Sequence, residues 1–225
     1  MKETKKIRVK VKKRKLKVRT FILFLGVLIL VGNLIYCILN IKTKNIYILN
    51  NNILSDKEII DSALLNDYPP YLFSFKYKLK RNLLKNPYIK EVEIKKKNLK
   101  IYLDIEEYKL ICIYNGKVLL ENGDLVDNLY NIRELPEVIN EIDAENVSKY
   151  FSKIDYNILL KISQIEYSPN EVDRDRYLLY MVDGNSVYIT LSKIEKINKY
   201  NNIINQMEER KGIIYLDSGD YIELK

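Results

Sequence analysis

A stretch of 22 uncharged residues, from Thr20 to Ile41, constrains this chain more than any other feature of its sequence. As a helix that rises about 1.5 Å per residue, it would be roughly 33 Å long and could cross a hydrocarbon core of about 30 Å. It lacks the small-residue cleavage site of a secretory signal, because the only alanines in the chain are Ala63 and Ala144. The sequence therefore predicts a transmembrane helix over residues 20–41 that is not cleaved.

Positive charge is concentrated ahead of this stretch. Residues 1–19 contain eleven Lys or Arg and one acidic residue, Glu3. The chain has 38 basic and 30 acidic residues, which leaves 27 basic and 29 acidic residues after the tail. Since basic residues beside a membrane-spanning helix stay on the cytoplasmic side, we predict a cytoplasmic tail over residues 1–19 and an extracytoplasmic C-terminus. The tail has no aromatic residue and the remainder is slightly acidic, so we expect no nucleic-acid partner.

Residues 43–108 show the pattern of a small domain that begins with a strand and two helices. The apolar run at 46–49 predicts a strand, and Ser55 followed three residues later by Glu58 predicts a capped helix that begins at residue 56. A second amphipathic helix should end near Asn86 and Pro87, because a residue before proline is pushed out of the helical region. Its predicted apolar face is Tyr77, Leu79, Leu83 and Leu84.

Two runs of alternating apolar and polar residues complete this domain. The first run carries Ile89, Val92 and Ile94, and a turn at Lys97 and Asn98 should join it to the second. The predicted buried face of the second run is Leu99, Ile101, Leu103 and Ile105. The order β-α-α-β-β predicts an α+β fold in which both helices cover one face of a small sheet.

Residues 109–225 read mainly as β-hairpins. Tight turns with positive φ are predicted where a polar residue and glycine separate two apolar runs. These pairs are Asn115–Gly116, Asn122–Gly123, Asp183–Gly184 and Ser218–Gly219. Two helical stretches are predicted between them, at about residues 145–163 and 193–210. We therefore expect a β-rich domain of meander hairpins with two helices, packed closely against the first domain because no Gly/Ser-rich linker separates them.

The residue types also exclude most catalytic chemistry. The chain has no histidine, so it cannot form a Ser-His-Asp triad, a Cys-His pair or an H-E-x-x-H zinc site. Asp173 and Asp175 alternate with Arg174 and Arg176, which is typical of a solvated loop or strand edge and not of a cation site. The tyrosines, Tyr188 among them, favour strands over a sugar-binding surface. We expect no catalytic residue, cofactor, metal or small-molecule substrate.

Taken in order, these motifs resemble the FtsQ/DivIB family of bacterial cell-division proteins, which carry a POTRA domain just outside the membrane. The resemblance rests on the motifs IYILNNNILSDKEI, NPYI, and IYLDIEEY with its terminal Glu107, together with Leu135–Pro136 and the closing hairpin. Two positions depart from the family pattern. Asn98 stands where proline often precedes the third strand, and Tyr215-Leu216-Asp217 stands where Asp-Leu-Arg is common, so a contact of that arginine is not carried over.

The resemblance implies a non-enzymatic scaffold at the division septum. Such a protein would bind other single-pass division proteins, of the FtsL and FtsB/DivIC type, and help regulate septal cell-wall synthesis. The alternative is a membrane-anchored cell-wall-active enzyme or envelope sensor with an unrecognised site. Absence of histidine and of a convergent acid pair favours the scaffold.

The resemblance also implies that partners dock on the C-terminal strands. Because the chain ends shortly after the strand at residues 220–224, we expect this strand at a sheet edge with unpaired backbone groups. An extended partner segment could add to such an edge as a further strand. The predicted partner-binding residues are Ile213, Ile214, Tyr215, Tyr221, Ile222 and Leu224.

Overall fold

The computed structural model describes residues 17–208 and 210–224. Most of the predicted cytoplasmic tail, up to residue 16, lies outside the described residues. The helices are α1 (Val18–Leu39), α2 (Asp56–Ala63), α3 (Lys76–Leu83), α4 (Ala144–Phe151), α5 (Tyr156–Leu159) and α6 (Tyr200–Gln206), with 3₁₀ helices at Tyr71–Phe73 and Leu191–Lys199. The strands are β1 (Asn45–Leu49), β2 (Ile89–Lys97), β3 (Lys100–Glu107), β4 (Leu110–Tyr114), β5 (Lys117–Leu120), β6 (Leu125–Asp127), β7 (Glu137–Val138), β8 (Ile162–Tyr167), β9 (Arg176–Met181), β10 (Ser186–Thr190), β11 (Gly212–Tyr215) and β12 (Tyr221–Leu224).

Helix α1 has 22 residues, none of which is buried against the rest of the chain. It is long and apolar enough to cross a membrane. An apolar helix that buries nothing within its own chain is stable only in an apolar surrounding, which favours membrane anchoring.

The first sheet has the order β1-β3-β2, with β1 parallel and β2 antiparallel to the central strand β3. The predicted β-α-α-β-β order is confirmed. Helix α2 begins at Asp56 with a complete capping box: the Ser55 hydroxyl accepts a hydrogen bond from the Glu58 N–H, and the Glu58 carboxylate accepts one from the Ser55 N–H. The cap was predicted because it depends only on residues three apart.

The predicted apolar face of α3 was half right. Leu79 and Leu83 are buried against the sheet, whereas Tyr77 and Leu84 are exposed. Residues four apart share one helix face, but Tyr77 lies two residues before Leu79 and therefore points to the other side.

The turn between β2 and β3 is one residue later than predicted, because Lys97 pairs with Lys100 and the residues with positive φ are Asn98 and Leu99.

The second sheet has nine strands in the order β12-β11-β10-β9-β8-β7-β4-β5-β6. All four hairpin turns that were predicted at a polar residue followed by glycine are present in this sheet. The glycine of each turn has positive φ. Three parallel pairings, which no local signal indicated, complete the sheet: β4 with β7, β7 with β8, and β10 with β11.

The two predicted helical stretches are shorter and more broken than expected. The first contains α4 and α5, but Ile162 already belongs to β8. The second begins as the 3₁₀ helix Leu191–Lys199 before α6. Ile158, Leu159 and Ile162 are all buried, and an apolar run of this kind fits a helix or a strand equally well. The segment from Ile162 onward is a strand and not a continuation of the helix, because it pairs with β7 and β9.

Two hydrophobic cores meet at the β4–β5 hairpin. Leu110, Val118 and Leu120 belong to the core under the first sheet, while Ile111 and Leu119 belong to the core of the second. Successive strand residues point to opposite faces, so this one hairpin contributes to both cores. The two parts of the chain are thus packed together without a linker.

Candidate partner-binding site at the sheet edge

Strand β12 forms one edge of the nine-stranded sheet and pairs with β11 in antiparallel register. Among the six residues predicted to bind partners, Ile214 is buried in the core, Ile213, Tyr215 and Ile222 are half-buried, and Tyr221 and Leu224 are exposed. The two strands therefore present a surface made by only part of the predicted set. Whether these residues bind a partner stays a prediction.

The hydrogen bonds of β11 identify which backbone groups of β12 are free. The N–H groups of Gly212 and Leu216 both point toward β10, because they donate to the Asn185 side chain at 2.9 Å and to the Tyr188 carbonyl at 2.8 Å. N–H groups alternate in direction along a strand. Those of Ile213 and Tyr215 therefore point toward β12.

The register then assigns the groups of β12 itself. Ile213 is opposite Glu223, and Tyr215 is opposite Tyr221, so Tyr221 and Glu223 bond to β11. The N–H and C=O groups of Ile222 point away from β11, to the free edge, as does the N–H of Leu224. An extended segment added at this edge would find these groups in the geometry of a strand pair.

A row of stacked side chains crosses the sheet and ends at this edge. The rings of Tyr188 and Tyr215 have centroids 5.3 Å apart, and those of Tyr215 and Tyr221 are 4.4 Å apart, both nearly parallel. The Arg176 guanidinium lies 3.7 Å from the Tyr188 ring centroid at the other end of the row. Tyr221 is 50% exposed, so its ring offers an apolar surface beside the free backbone groups.

Arg176 also forms an ion pair that holds the β11–β12 hairpin. Its Nε donates to the Asp217 carboxylate at 2.6 Å, and both side chains are largely buried, with exposed fractions of 14% and 5%. Burial raises the pKa of Asp217, but hydrogen bonds from Arg176 and Ser218 and the Arg176 charge outweigh it, so this pKa lies below its ordinary value. The interpretation of Arg176 as a solvated residue was wrong, because a sequence does not show which strand lies beside β9.

A second set of contacts fixes the start of β11. The Asn185 amide donates to the Tyr200 hydroxyl at 3.1 Å, and that hydroxyl donates to the Asp183 carboxylate at 2.9 Å. Burial raises the pKa of Tyr200 well above its ordinary value, so it stays a neutral donor. At Gly212 a Cβ atom would lie 2.4 Å from the Glu223 carbonyl oxygen, so only glycine lets β12 approach this closely.

Recognition of an extended chain is the chemistry that this edge supports. Among the described residues, no group of three or more Cys, Asp or Glu side chains is placed to hold a metal ion. Asp173 and Asp175 lie in the exposed loop before β9, where the Asp173 carboxylate accepts the Asp175 N–H at 3.0 Å. This contact stabilises the loop. It joins a carboxylate to a backbone N–H and does not bring the two carboxylates together around a cation.

Comparison with known proteins gives a consistent family assignment. A family model for the FtsQ-type POTRA domain matches residues 41–108. The cell division protein DivIB of Bacillus subtilis strain 168 is 31% identical over 194 residues, which cover 81% of this chain and 74% of that protein. DivIB of Bacillus anthracis is 32% identical over 191 residues, covering 79% and 72%.

A solved structure also shows similarity, that of the major extracytoplasmic domain of the trans isomer of DivIB from Geobacillus stearothermophilus. It covers 46% of this chain and 96% of the solved chain, with 22% identity and a TM-score of 0.39. The relatives at 31% and 32% identity cover about four fifths of this chain, which is more than its first domain. The chain therefore belongs to the DivIB family of bacterial cell-division proteins.

Proposed function

We propose that this chain is a non-enzymatic scaffold of the cell-division machinery. Helix α1 anchors it in the membrane as a single-pass protein, with residues 1–19 in the cytoplasm. A POTRA-like domain at residues 43–108 and a β-rich domain at residues 109–225 stand outside. The charge asymmetry around the anchor supports this orientation, since eleven basic residues precede it.

The scaffold binds other single-pass division proteins, of the FtsL and FtsB/DivIC type, and so helps regulate septal cell-wall synthesis. The observation that carries this proposal is the free edge of β12, where the outward backbone groups of Ile222 lie beside the exposed ring of Tyr221. In strand addition, main-chain hydrogen bonds provide affinity and side-chain contacts provide selectivity. Family membership supports the location at the division septum.

Copurification from membranes tests the proposal. A tagged full-length chain should retain single-pass division proteins after mild detergent extraction, and a fluorescent fusion should form a band at midcell. A matched variant that ends after Asp217 should lose these proteins while remaining in the membrane. Uniform membrane fluorescence, or hydrolysis of cell-wall fragments by the purified chain, would contradict the scaffold and favour an envelope enzyme or sensor.

A further inference from the structure

Four large apolar side chains lie exposed at the 3₁₀ helix Tyr71–Phe73 and at the start of α3. We call them the aromatic patch: Leu72, Phe73, Phe75 and Tyr77, with exposed fractions between 44% and 75%. Such side chains are normally buried, and several exposed within six residues indicate a contact surface. The small sheet does not cover them, because α3 packs on it through Leu79 and Leu83.

Hydrogen bonds place the aromatic patch beside the end of α1. The Tyr71 N–H donates to the Ile41 carbonyl at 2.9 Å, and the Thr43 N–H and hydroxyl both donate to the Pro69 carbonyl, at 3.1 and 2.9 Å. Lys42 and Pro70 form an isolated β-bridge between these contacts. Since α1 ends at Leu39, the chain at residues 69–71 lies at the level where the helix leaves the hydrocarbon core.

A lysine holds this segment in a fixed conformation. The Lys96 ammonium donates to the carbonyls of Tyr71 and Ser74, at 2.5 and 2.8 Å, and lies 4.1 Å from the Tyr71 ring centroid. Burial lowers the pKa of Lys96, and the nearby charge of Lys76 lowers it further. Lys96 therefore fixes the backbone from the inner side and leaves the aromatic patch on the outside.

The segment that carries the aromatic patch is positively charged, although Glu91 and Glu93 of β2 line the groove beside Tyr77. Residues 68–90 contain six Lys or Arg and no Asp or Glu. Lys76 and Lys78 alternate with the patch residues Phe75 and Tyr77 and are exposed themselves. Aromatic side chains are enriched at the boundary between hydrocarbon and head groups, and lysines beside a bilayer are attracted to anionic lipids.

We propose that the aromatic patch inserts into the head-group region of the leaflet at which α1 ends, and that Lys76 and Lys78 bind anionic phospholipid head groups there. The inference rests on the proposed anchoring of α1. It adds a second membrane contact, which holds the first sheet against the bilayer and restricts how the second sheet is presented to partners.

The chain has no tryptophan, so a single introduced tryptophan reports its own surroundings. We suggest Phe73→Trp in the full chain, reconstituted in phosphatidylglycerol-containing vesicles with lipids brominated near the top of their acyl chains. Ile41→Trp, just after α1, is the control for a residue at the boundary. Val172→Trp is the control for a residue in water, because Val172 is 95% exposed in the loop before β9.

Tryptophan at position 73 should be quenched by the brominated lipids to nearly the same extent as tryptophan at position 41, with a blue-shifted emission. Quenching no greater than at position 172, while position 41 is quenched, would overturn the aromatic-patch contact and leave the anchor intact. Absence of quenching at position 41 as well would overturn the anchoring on which the inference rests. Phe73→Ser with Phe75→Trp should show reduced quenching at position 75 relative to Phe75→Trp alone, because the two side chains insert together.

Discussion

Removal of Arg176 should release the β11–β12 hairpin from the rest of the sheet. In Arg176→Met the Asp217 carboxylate stays buried but loses its 2.6 Å hydrogen bond and its counter-charge. Breaking a buried pair by removing one partner costs about 3–5 kcal/mol, and the 14% exposure of Arg176 favours the lower end. The lost contact between the guanidinium and the Tyr188 ring adds about 1 kcal/mol to this cost. We therefore expect the free energy of opening the β11–β12 hairpin to fall by about 3–4 kcal/mol.

Amide hydrogen exchange measures this local stability directly. The N–H groups of Ile213 and Tyr215 point toward β12 and exchange when the hairpin opens. A loss of about 3 kcal/mol should lower their protection roughly 100-fold or more. The matched control is Lys153→Met, which removes an exposed pair with Glu195 at 3.6 Å and should change protection little. If Arg176→Met behaves like Lys153→Met, the ion pair does not hold the hairpin.

The same pair predicts a pH dependence. Because the pKa of Asp217 is lowered in the folded chain, its contribution is fully present above the unfolded pKa of about 3.9 and is lost as pH falls through the folded value. Protection of Ile213 and Tyr215 should therefore decrease as the pH is lowered below about 4. Asp217→Asn should be less protected at neutral pH and should lack this acid step; an acid step of equal size in the variant would contradict the assignment.

Three further predictions concern the cap, the close strand approach and the topology. Ser55→Ala should lower the free energy of unfolding by about 1 kcal/mol, measured by urea denaturation, whereas Ser62→Ala, inside the same helix, should not lower it. Gly212→Ala should abolish protection of the Glu223 N–H, because its Cβ would overlap the Glu223 carbonyl, and unchanged protection would show that β12 is not held this closely. Protease added to intact protoplasts should digest residues after 43 and spare the tail; protection of the C-terminal part would reverse the orientation.

What could be predicted from the sequence follows from how far apart the interacting residues are. The Ser55 cap and the glycine turns were predicted because each depends on residues within four positions. Glu107 was recognised only through the family resemblance. Its carboxylate accepts the N–H groups of Asn52, Ile53 and Leu54, all at 2.9 Å, and so shapes the turn that leads into α2.

The features missed at the candidate site are all contacts between distant strands. The stacking of Tyr188 on Tyr215 depends on the parallel pairing of β10 with β11, and the pair Arg176–Asp217 joins residues 41 positions apart. Neither has a local signal. The edge position of β12 was predicted, but the burial of Ile214 was not, because alternation assigns two faces without saying which one is covered.

The central claim is that a partner adds to the free edge of β12, and a proline at Ile222 tests it most directly. This substitution removes an outward N–H and leaves the hydrogen bonds of Tyr221 and Glu223 with β11 in place. Ile222→Ala is the matched control, since it removes the same half-buried side chain but keeps the N–H.

The measurement is the affinity of the full-length chain, reconstituted in vesicles, for the extracytoplasmic segment of an FtsB/DivIC-type partner. Ile222→Pro should bind at least about tenfold more weakly than Ile222→Ala, because a main-chain hydrogen bond is lost and the ring obstructs the edge. Equal affinity of the two variants would contradict strand addition at β12 and direct attention to the groove between α3 and β2, lined by Tyr77, Arg81 and Glu91.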